Sequence, residues 1–593
     1  MAAVQPYSIE KFLGVNKSVT ETLLQLGEAS KMSNFIITDD FKLQKMFGYS
    51  RMFEPLNHRI NGMWCGTLNG TEHMIFACNG HIYEHNTTTH VNTDLGTVAD
   101  SYPTTFFVSN NNVYILDGTD YYSWSGTGSI AVVPGYVPTV YTAAPPTGGG
   151  TMLEAINYLN GTKAMKFSAT GSETVYQLLE YSITSVDSVM VNGVTKVKNT
   201  DYTVNLTNGT VTFVTAPATG VNNVVIQWTK ATAGDRESIT KCRYYGGVYY
   251  ARYWLYGNSD HKNTRYCSGV TLAGVSDPTF WPKFADSDVG EYEITDMCTQ
   301  YDKQLIFTSG DSEASAWYSE EEDYVDPSTG AVTAMFPVKP MSSKVGNIAK
   351  GQTQIIVNYP FTLWKGVYKW ESTYIANEKN ATWMSQRVQN DLDTVDLSKA
   401  ITVDWFDKGQ YWLCVGSKVW VYNYRTDTWH ILDLPHTPTC FVIKDRQMCF
   451  GTENGTIMSF SESIGTYDGE LINAIWEMGY FNFGVEWLRK FIQRLYISIL
   501  PLTKTHIDFT YETDRSTVSD LYTAEYRLSG FDTWDFSDFS FETNYSPQPF
   551  KFKIRAKKID YFKLKISNNG LDGAVVLSIT LPTRTGGEVK NRS

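Results

Sequence analysis

The sequence predicts an all-β chain of several domains, built around a β-propeller. Three observations carry this. Aromatic residues make up 14% of the 593 residues, with 38 tyrosines and 16 tryptophans, while charged residues are only 19%. Such residues suit pleated, half-buried strands. Short alternating segments recur as hairpins around Gly, Asn or Asp turns. In the later half these units return about every 40–50 residues, the period of four-stranded propeller blades. The length also exceeds what one hydrophobic core organises.

The hairpins run in order. "HMIFACNGHIYEH" (73–85) is strand, Asn-Gly turn, strand, and "NVYILDGTDYYSWSG" (112–126) has Asp-Gly at the same place. Then follow "GGVYYARYWLYGN" (246–258), "KQLIFTSGDSEASAWYS" (303–319), "TQIIVNYPFTLWKG" (353–366), "QYWLCVGSKVWVYNYRTDTW" (410–429) and "RQMCFGTENGTIMSF" (446–460). They predict roughly six to eight blades. "VWVYNYRTDTWHI" (419–431) reads as two adjacent strands, with Val419 and Trp429 packing between blades. Its turn-then-tryptophan element resembles that of kelch propellers, but their double glycine is missing.

Two segments break the rhythm. "PPTGGG" (145–150) marks a linker, and "SVDSVMVNGVTKVKNTDYTVNLTNGTVTFVTAPATGVNNVVIQW" (185–228) alternates strictly around two Asn-Gly turns. This is a small β-sandwich-like module inserted between blades. After about residue 465 the strands lengthen ("THIDFTYET", "PFKFKIRAKKIDYFKLKIS"), as in a C-terminal β-sandwich. In "EWLRKFIQRLYI" Trp487, Phe491 and Leu495 share a helical spacing, but the β-branched and aromatic run that follows favours a strand. The expected order is an N-terminal assembly arm (1–60), first blades (61–139), the module (140–232), remaining blades (233–464) and the sandwich (465–593).

Charge and cysteines narrow the function classes. Sixty-two acids against 49 Lys and Arg give a net charge of −13, which disfavours tight nucleic-acid binding, because that affinity comes from cations displacing counterions. The eight cysteines, at 65, 78, 242, 267, 298, 414, 440 and 449, form no Cys-x-x-Cys pair and read as small buried hydrophobes in a reducing compartment. "LYISILPL" is far short of the roughly 20 apolar residues of a membrane span, and "MAAVQPYSIEKF" lacks a signal-peptide pattern.

No chemical signature stands out. A Gly-x-Ser-x-Gly elbow, a phosphate-binding Gly-x-x-x-x-Gly-Lys loop and His-Glu-x-x-His are all missing, so no catalytic residue, cofactor or metal ligand is assigned. His73, His81, His85 and His90 cluster in sequence, but His81 and His85 are too far apart on a strand for the usual chelating pair. Zinc wants three or four convergent ligands. The sharpest acidic run is Glu320, Glu321, Glu322 and Asp323. It fits a solvated loop, a lumen-facing set of acids that repels DNA phosphate, or a calcium loop, although the alternating ligands and central glycine of an EF-hand are missing. "YYGGVYYARYWLY" and "FDTWDFSDFSFE" fit inter-sheet packing or stacking platforms for sugar or base. In "KFKIRAKKIDYFKLK" (551–565) alternation puts Lys551, Lys553 and Arg555 on one face, a solvated surface or a contact for an acidic neighbouring subunit.

The N-terminus carries a family likeness. In "FLGVNKSVTETLLQLGEASKMSNFIITDDFKLQKMFGYSRMF" (12–53) the residues Gly14, Val15, Asn16, Gly27, Glu28, Ala29, Ser30, Asn34, Phe35, Thr38, Asp39, Lys45, Gly48 and Tyr49 resemble the opening segment of tail propeller proteins of tailed bacteriophages. "SGVTLAGVSDPTFWPKF" (268–284) is similar to an inter-blade Asp-Pro-x-x-Trp-Pro stretch of that family. "AIWEMGYFNFGVEWLRKFIQRLYI" (474–497) is similar to the segment leaving the propeller for a terminal sandwich. The resemblance is to the nozzle of short-tailed phages. It implies a non-enzymatic ring, six-fold in relatives, that extends the DNA channel and meets a head-to-tail adaptor and tail fibre or spike proteins, with transient passage of double-stranded DNA. It also implies a place in the virion tail after assembly in the host cytoplasm. The alternative from a different class is a glycan-binding or glycan-hydrolysing propeller.

Overall fold

The computed structural model describes residues 4–231, 238–246, 251–283, 285–325, 327, 332–372, 379–502, 504–516, 521–527 and 546–589. They form an all-β structure whose repeating element is a four-stranded antiparallel meander, the blade of a propeller. Two compact units emerge: residues 61–85 and 92–347 form one, and residues 1–60, 86–91 and 348–593 the other.

The unit of residues 61–85 and 92–347 holds four meanders, spanning 60–97, 105–132, 241–288 and 293–342. Asn-Gly makes the turns the sequence promised: Asn79 and Gly80 both take positive φ (53° and 70°) between the strands Thr71–Cys78 and His81–His85. One expected hairpin is shifted. The strand pairing with Arg252–Tyr256 is Lys241–Tyr245, upstream of "GGVYY", of which residues 247–250 lie outside the described ones. Tyr244–Tyr245 and Tyr249–Tyr250 are both aromatic pairs in the sequence, so alternation alone does not decide which run pairs.

The inserted module is a sandwich with its own core. A six-stranded sheet that includes Thr162–Ala169 and Gly220–Thr229 faces a three-stranded one containing Tyr202–Asn205 and Thr210–Phe213. Phe167, Tyr176, Phe213, Ile226 and Trp228 fill the space between them. At its margin Glu180 Oε2 accepts from buried Lys163 Nζ (2.8 Å) and from Trp228 Nε1 (3.0 Å).

The other unit holds the meanders 354–383 and 401–433, and a last one begun by Pro438–Lys444, Gln447–Thr452 and Ile457–Phe460. The 401–433 sheet is buried on both faces. Tyr411, Leu413, Trp420, Tyr422, Trp429 and Ile431 enter one core, and Trp412, Cys414, Val419, Val421 and Leu432 the other. Val419 and Trp429 thus pack on opposite sides of one sheet, as period-2 alternation requires.

The C-terminal sandwich is made of two sheets. Leu488–Ile499, a strand as expected, lies between Gln548–Ile559 and Val575–Glu588. Ala474–Met478, Phe562–Asn568, Lys504–Thr513 and Tyr522–Arg527 build the second.

The expectation of a separate N-terminal arm over 1–60 does not hold, because its strands are members of these sheets. Val4–Ile9 pairs with Val575–Glu588, Ala29–Ser33 with Ala474–Met478, and Leu43–Lys45 with Val575–Glu588. Tyr49–Arg51 is the fourth strand of the last meander, against Ile457–Phe460. That meander continues through Thr466–Tyr467 and Glu470–Leu471, past the expected boundary at 464. The short strands, scarcely alternating, are specified by partners more than 400 residues away, which a local pattern does not reveal.

Asn34 holds the junction. It is buried with φ of 54°, a left-handed conformation that asparagine tolerates. Its Nδ2 donates to the Asn473 carbonyl (2.9 Å), while its Oδ1 accepts from the Asp433 N–H (3.0 Å) and the Tyr467 hydroxyl (3.3 Å). Glycine keeps that φ at ease, so Asn34→Gly isolates the side-chain bonds. We expect it to destabilise this unit by roughly 2–4 kcal/mol, read as a lower urea midpoint in tryptophan fluorescence; an unchanged midpoint would show that the three bonds carry no net stability.

Candidate functional site

The four acids of the sharpest run do not form a free field of charge. Glu320 follows the strand Ala314–Ser319, and Glu322 and Asp323 open a hairpin, Glu322–Val325 against Val332–Met335, within the 293–342 meander. Lys339 Nζ donates to Glu320 Oε1 (3.2 Å) and also to Glu322, and Lys303 Nζ lies 3.4 Å from Glu320 Oε2. Partial burial raises the Glu320 carboxyl pKa, but the hydrogen bonds and charges of Lys339 and Lys303 together outweigh it and leave it below the usual value. Glu321 is buried, whereas Asp323 is exposed. Two lysines therefore offset two of the four charges on the spot.

Three of the four clustered histidines are engaged separately. His73 Nδ1 lies 2.6 Å from Glu84 Oε1, His81 Nδ1 2.9 Å from Asp94 Oδ2, and His85 Nδ1 2.7 Å from Asn92 Oδ1. Among the described residues no group of three or more His, Cys, Asp or Glu is placed to hold a metal ion. Six of the eight cysteines are buried and two half-buried, all as free thiols.

What the structure does bring together is the set of residues at 14–49 that carries the family likeness. Gly14 has φ of +75°, and a Cβ there would lie 2.5 Å from the Trp429 carbonyl oxygen. That carbonyl accepts from the Val15 N–H at 2.8 Å. Buried Glu28 accepts from Asn16 Nδ2 (3.0 Å) and the Gln25 N–H (2.9 Å), tying off the loop between them. Asp39 pairs with Arg425 at 2.8 Å. A Cβ on Gly48 would meet the Thr466 carbonyl oxygen at 1.8 Å, and Tyr49 stacks on Tyr467 at 4.8 Å. Lys45 is 4% exposed and donates to Asn568 Oδ1 (2.7 Å) and the Gly570 carbonyl (2.6 Å).

The stretch at 277–282 is a second joint of this kind, in the unit of residues 61–85 and 92–347. Asp277 Oδ1 accepts from the Thr279 N–H (2.8 Å), Tyr121 donates its hydroxyl to the Pro278 carbonyl (2.9 Å), and the N–H of fully buried Trp281 donates to Asn157 Oδ1 (2.9 Å). Asn157 Nδ2 in turn donates to the Tyr136 and Thr279 carbonyls (2.8 and 2.9 Å). The third stretch supplies Ala474–Met478, the strand between Ala29–Ser33 and Phe562–Asn568. All three stretches are visible in the sequence but their task is not, since each acts on chain remote from it.

Two cavities bear on the glycan alternative. One, of about 440 Å³, is lined by Phe47, Trp405 and Phe460 with Asp407, Lys408 and Glu462. Its carboxylates are engaged: Lys408 pairs with Glu462, and Arg446 Nε is 3.7 Å from Asp407. The other, of about 600 Å³, is lined by Arg252, Trp254, Cys267 and Phe336 among others. The aromatic stretch at 531–542 lies outside the described residues. No helix among the described residues is long and apolar enough to cross a membrane.

Neither a protein-family model nor a curated protein sequence matches the chain. Solved structures similar to it are propellers of low identity. The Dos1 propeller has a TM-score of 0.33 and 9% identity, over 70% of this chain and 95% of that one. BamB from Moraxella catarrhalis has 0.30 and 9%, over 78% and 98%. The computationally designed Ika8 protein has 0.29 and 11%, over 69% and 99%. With scores this low, the class rests on the meander order itself: a chain of propeller type with two β-sandwich elaborations.

Lys45 gives a pH signature. Desolvation lowers its pKa from 10.5 to about 8, against the opposing pull of Asp572. Between those values the unfolded chain holds a proton that the folded chain has released, so stability should rise with pH across about 8 to 10.5. Below pH 8 the folded state carries the full burial penalty. Lys45→Met should remove this rise, so that the stability difference between the two proteins changes across the window; parallel urea midpoints from pH 7.5 to 10.5 would contradict it.

Proposed function

We propose that the chain is a structural, non-enzymatic component of a bacteriophage tail. It forms a ring, a nozzle that extends the DNA-ejection channel and docks other tail components. One observation carries the reading. The residues in which the chain resembles tail propeller proteins fall at joints: those at 14–49 fasten the N-terminal segment to the 401–433 meander, the last meander and the sandwich, and those at 277–282 join remote segments of the other unit. The likeness thus falls on joints of the fold, as expected where the shared property is a shape to be held. By the same resemblance the ring is a hexamer, and its neighbours are a head-to-tail adaptor and fibre or spike proteins. Its place is the virion tail, after assembly in the host bacterial cytoplasm.

The charge supports passage of DNA without adhesion. A net charge of −13 per chain works against tight binding of phosphate, whose affinity comes from cations displacing counterions. Acids repeated around a ring sum to a potential of several kT where they line the wall, while salt screens the rest over about 8 Å. The pairing of Glu320 and Glu322 with Lys339 means that such a field draws on many acids across the chain rather than on that run alone.

The test is the native mass of the purified chain, with electron microscopy of the same sample. A ring of six 66.9 kDa chains is expected, with weak binding of duplex DNA at physiological salt. A monomer at every concentration and salt would overturn the ring and favour the glycan-directed alternative, for which the cavity at Trp405 is the place to look.

A further inference from the structure

The acids are distributed unequally. Residues 61–85 and 92–347 contain 28 Asp and Glu against 15 Lys and Arg, so the whole −13 resides in that unit; the other residues carry 34 of each. Within the neutral unit, cations gather on one face of the C-terminal sandwich. In Gln548–Ile559, burial alternates so that Lys551, Lys553, Arg555 and Lys557 are exposed while Ile554 and Ala556 are buried. The register extends this face across the sheet: Arg494, exposed, stands directly opposite Lys553, and Phe491 links Lys557 on one side to exposed Arg584 on the other. None of these six cations is ion-paired among the described residues.

Local needs do not account for the pattern. Like charges directly opposite on neighbouring strands destabilise a sheet, so the Arg494–Lys553 pair works against the sandwich that contains it. Among the described residues Gln548–Ile559 is an edge strand, and lysines at an edge discourage aggregation. But Arg494 and Arg584 lie on inner strands, where no edge needs guarding.

We propose that this cationic face docks against the acidic unit of a second copy of the chain. The complementary surface is at one end of the meanders 241–288 and 293–342. Glu293 pairs with Ser309, which places the turn 310–313 beside residues 289–293, and Tyr292 donates its hydroxyl to Glu313 Oε2 (2.6 Å). Asp288, Glu291, Asp311 and Glu313 are exposed there, and none is ion-paired among the described residues. Opposed charges of this kind set register and speed encounter, and acids brought against the Arg494–Lys553 pair relieve its repulsion. The inference rests on the ring reading and names its contact.

The experiment uses the full chain and sedimentation velocity at 50 and 500 mM NaCl. Wild type should associate at least tenfold more weakly at the higher salt. The charge-reversal variant K551E/K553E/K557E changes only exposed side chains, and unchanged circular dichroism would verify its fold. It should remain monomeric at 50 mM. Mixing it with E291K/D311K/E313K, which presents the reversed partner surface, should restore assembly. Three results would overturn the inference: undiminished assembly of the first variant, no rescue on mixing, or a wild-type face that binds a 30-base-pair duplex tightly and loses that binding in the first variant. The last would mark a phosphate-binding surface. A wild-type ring indifferent to these reversals would sink this contact alone, whereas a wild type monomeric throughout would sink the ring reading with it.

Discussion

The dependence of the last sheets on the first residues of the chain is the constraint from which the rest of this unit follows. Ser8 meets Thr580 across 572 residues, Asn34 meets Asn473 across 439, and Lys45 meets Asn568 across 523. Without Tyr49–Arg51 the last meander ends in an open edge at Ile457–Phe460, and without Val4–Ile9 and Leu43–Lys45 the strand Val575–Glu588 loses pairing along one side. Open edges template aggregation, so the N-terminal segment both stabilises these sheets and protects them. Contacts this distant in sequence close late in folding, because loop closure must come before any gain from pairing. The joint is therefore made of specific polar pairs, which reject wrong registers, as well as apolar ones.

Buried charge at the joints fits that role. Lys45 gives up full solvation for carbonyl and amide oxygens, and Arg265, fully buried, donates to Ser287, Ser319 and the Phe336 carbonyl with its guanidinium over Trp254 at 4.2 Å. Apolar residues of similar volume often stabilise such positions as well or better. What they lack is direction. A lysine that must find Asn568 Oδ1 and the Gly570 carbonyl tolerates no slip of the Leu43–Lys45 strand, whereas a methionine would pack in several registers. We take these groups as devices of register, and Lys45 is also one of the residues that carry the family likeness.

Much of this fold was legible because its information is local. The Asn79–Gly80 turn, the alternation of 410–433 and the strict period of 185–228 each specify a hairpin from neighbouring residues. The N-terminal strands were not legible: "ASKMS" and "YSR" are short and scarcely alternate, and their pairing is decided by Ala474–Met478 and Ile457–Phe460. The strand Lys241–Tyr245 was missed for another reason, since two aromatic runs close together in the sequence leave alternation without a preference. The candidate site was legible only as a list. Glu320 and Glu322 announced themselves as acids, but their neutralisation depends on Lys339, which the fold delivers from the strand Val338–Ser342 beside Ala314–Ser319.

The same locality explains why charge was misleading as a single number. A net −13 spread evenly would describe a soluble acidic chain and nothing more. Divided by the fold, it becomes one strongly acidic unit and one neutral unit whose cations are concentrated by strand alternation. Period-2 geometry is what converts "KFKIRAK" from a basic run into a one-sided surface, since Phe552, Ile554 and Ala556 turn inward while the cations turn out. Register then adds Arg494 and Arg584 from two further strands of the sheet. A charged face of this kind is a property of the sheet and not of any segment, so it becomes visible only when the strand order is known. Its cost to the sandwich gives a reason to look for what neutralises it.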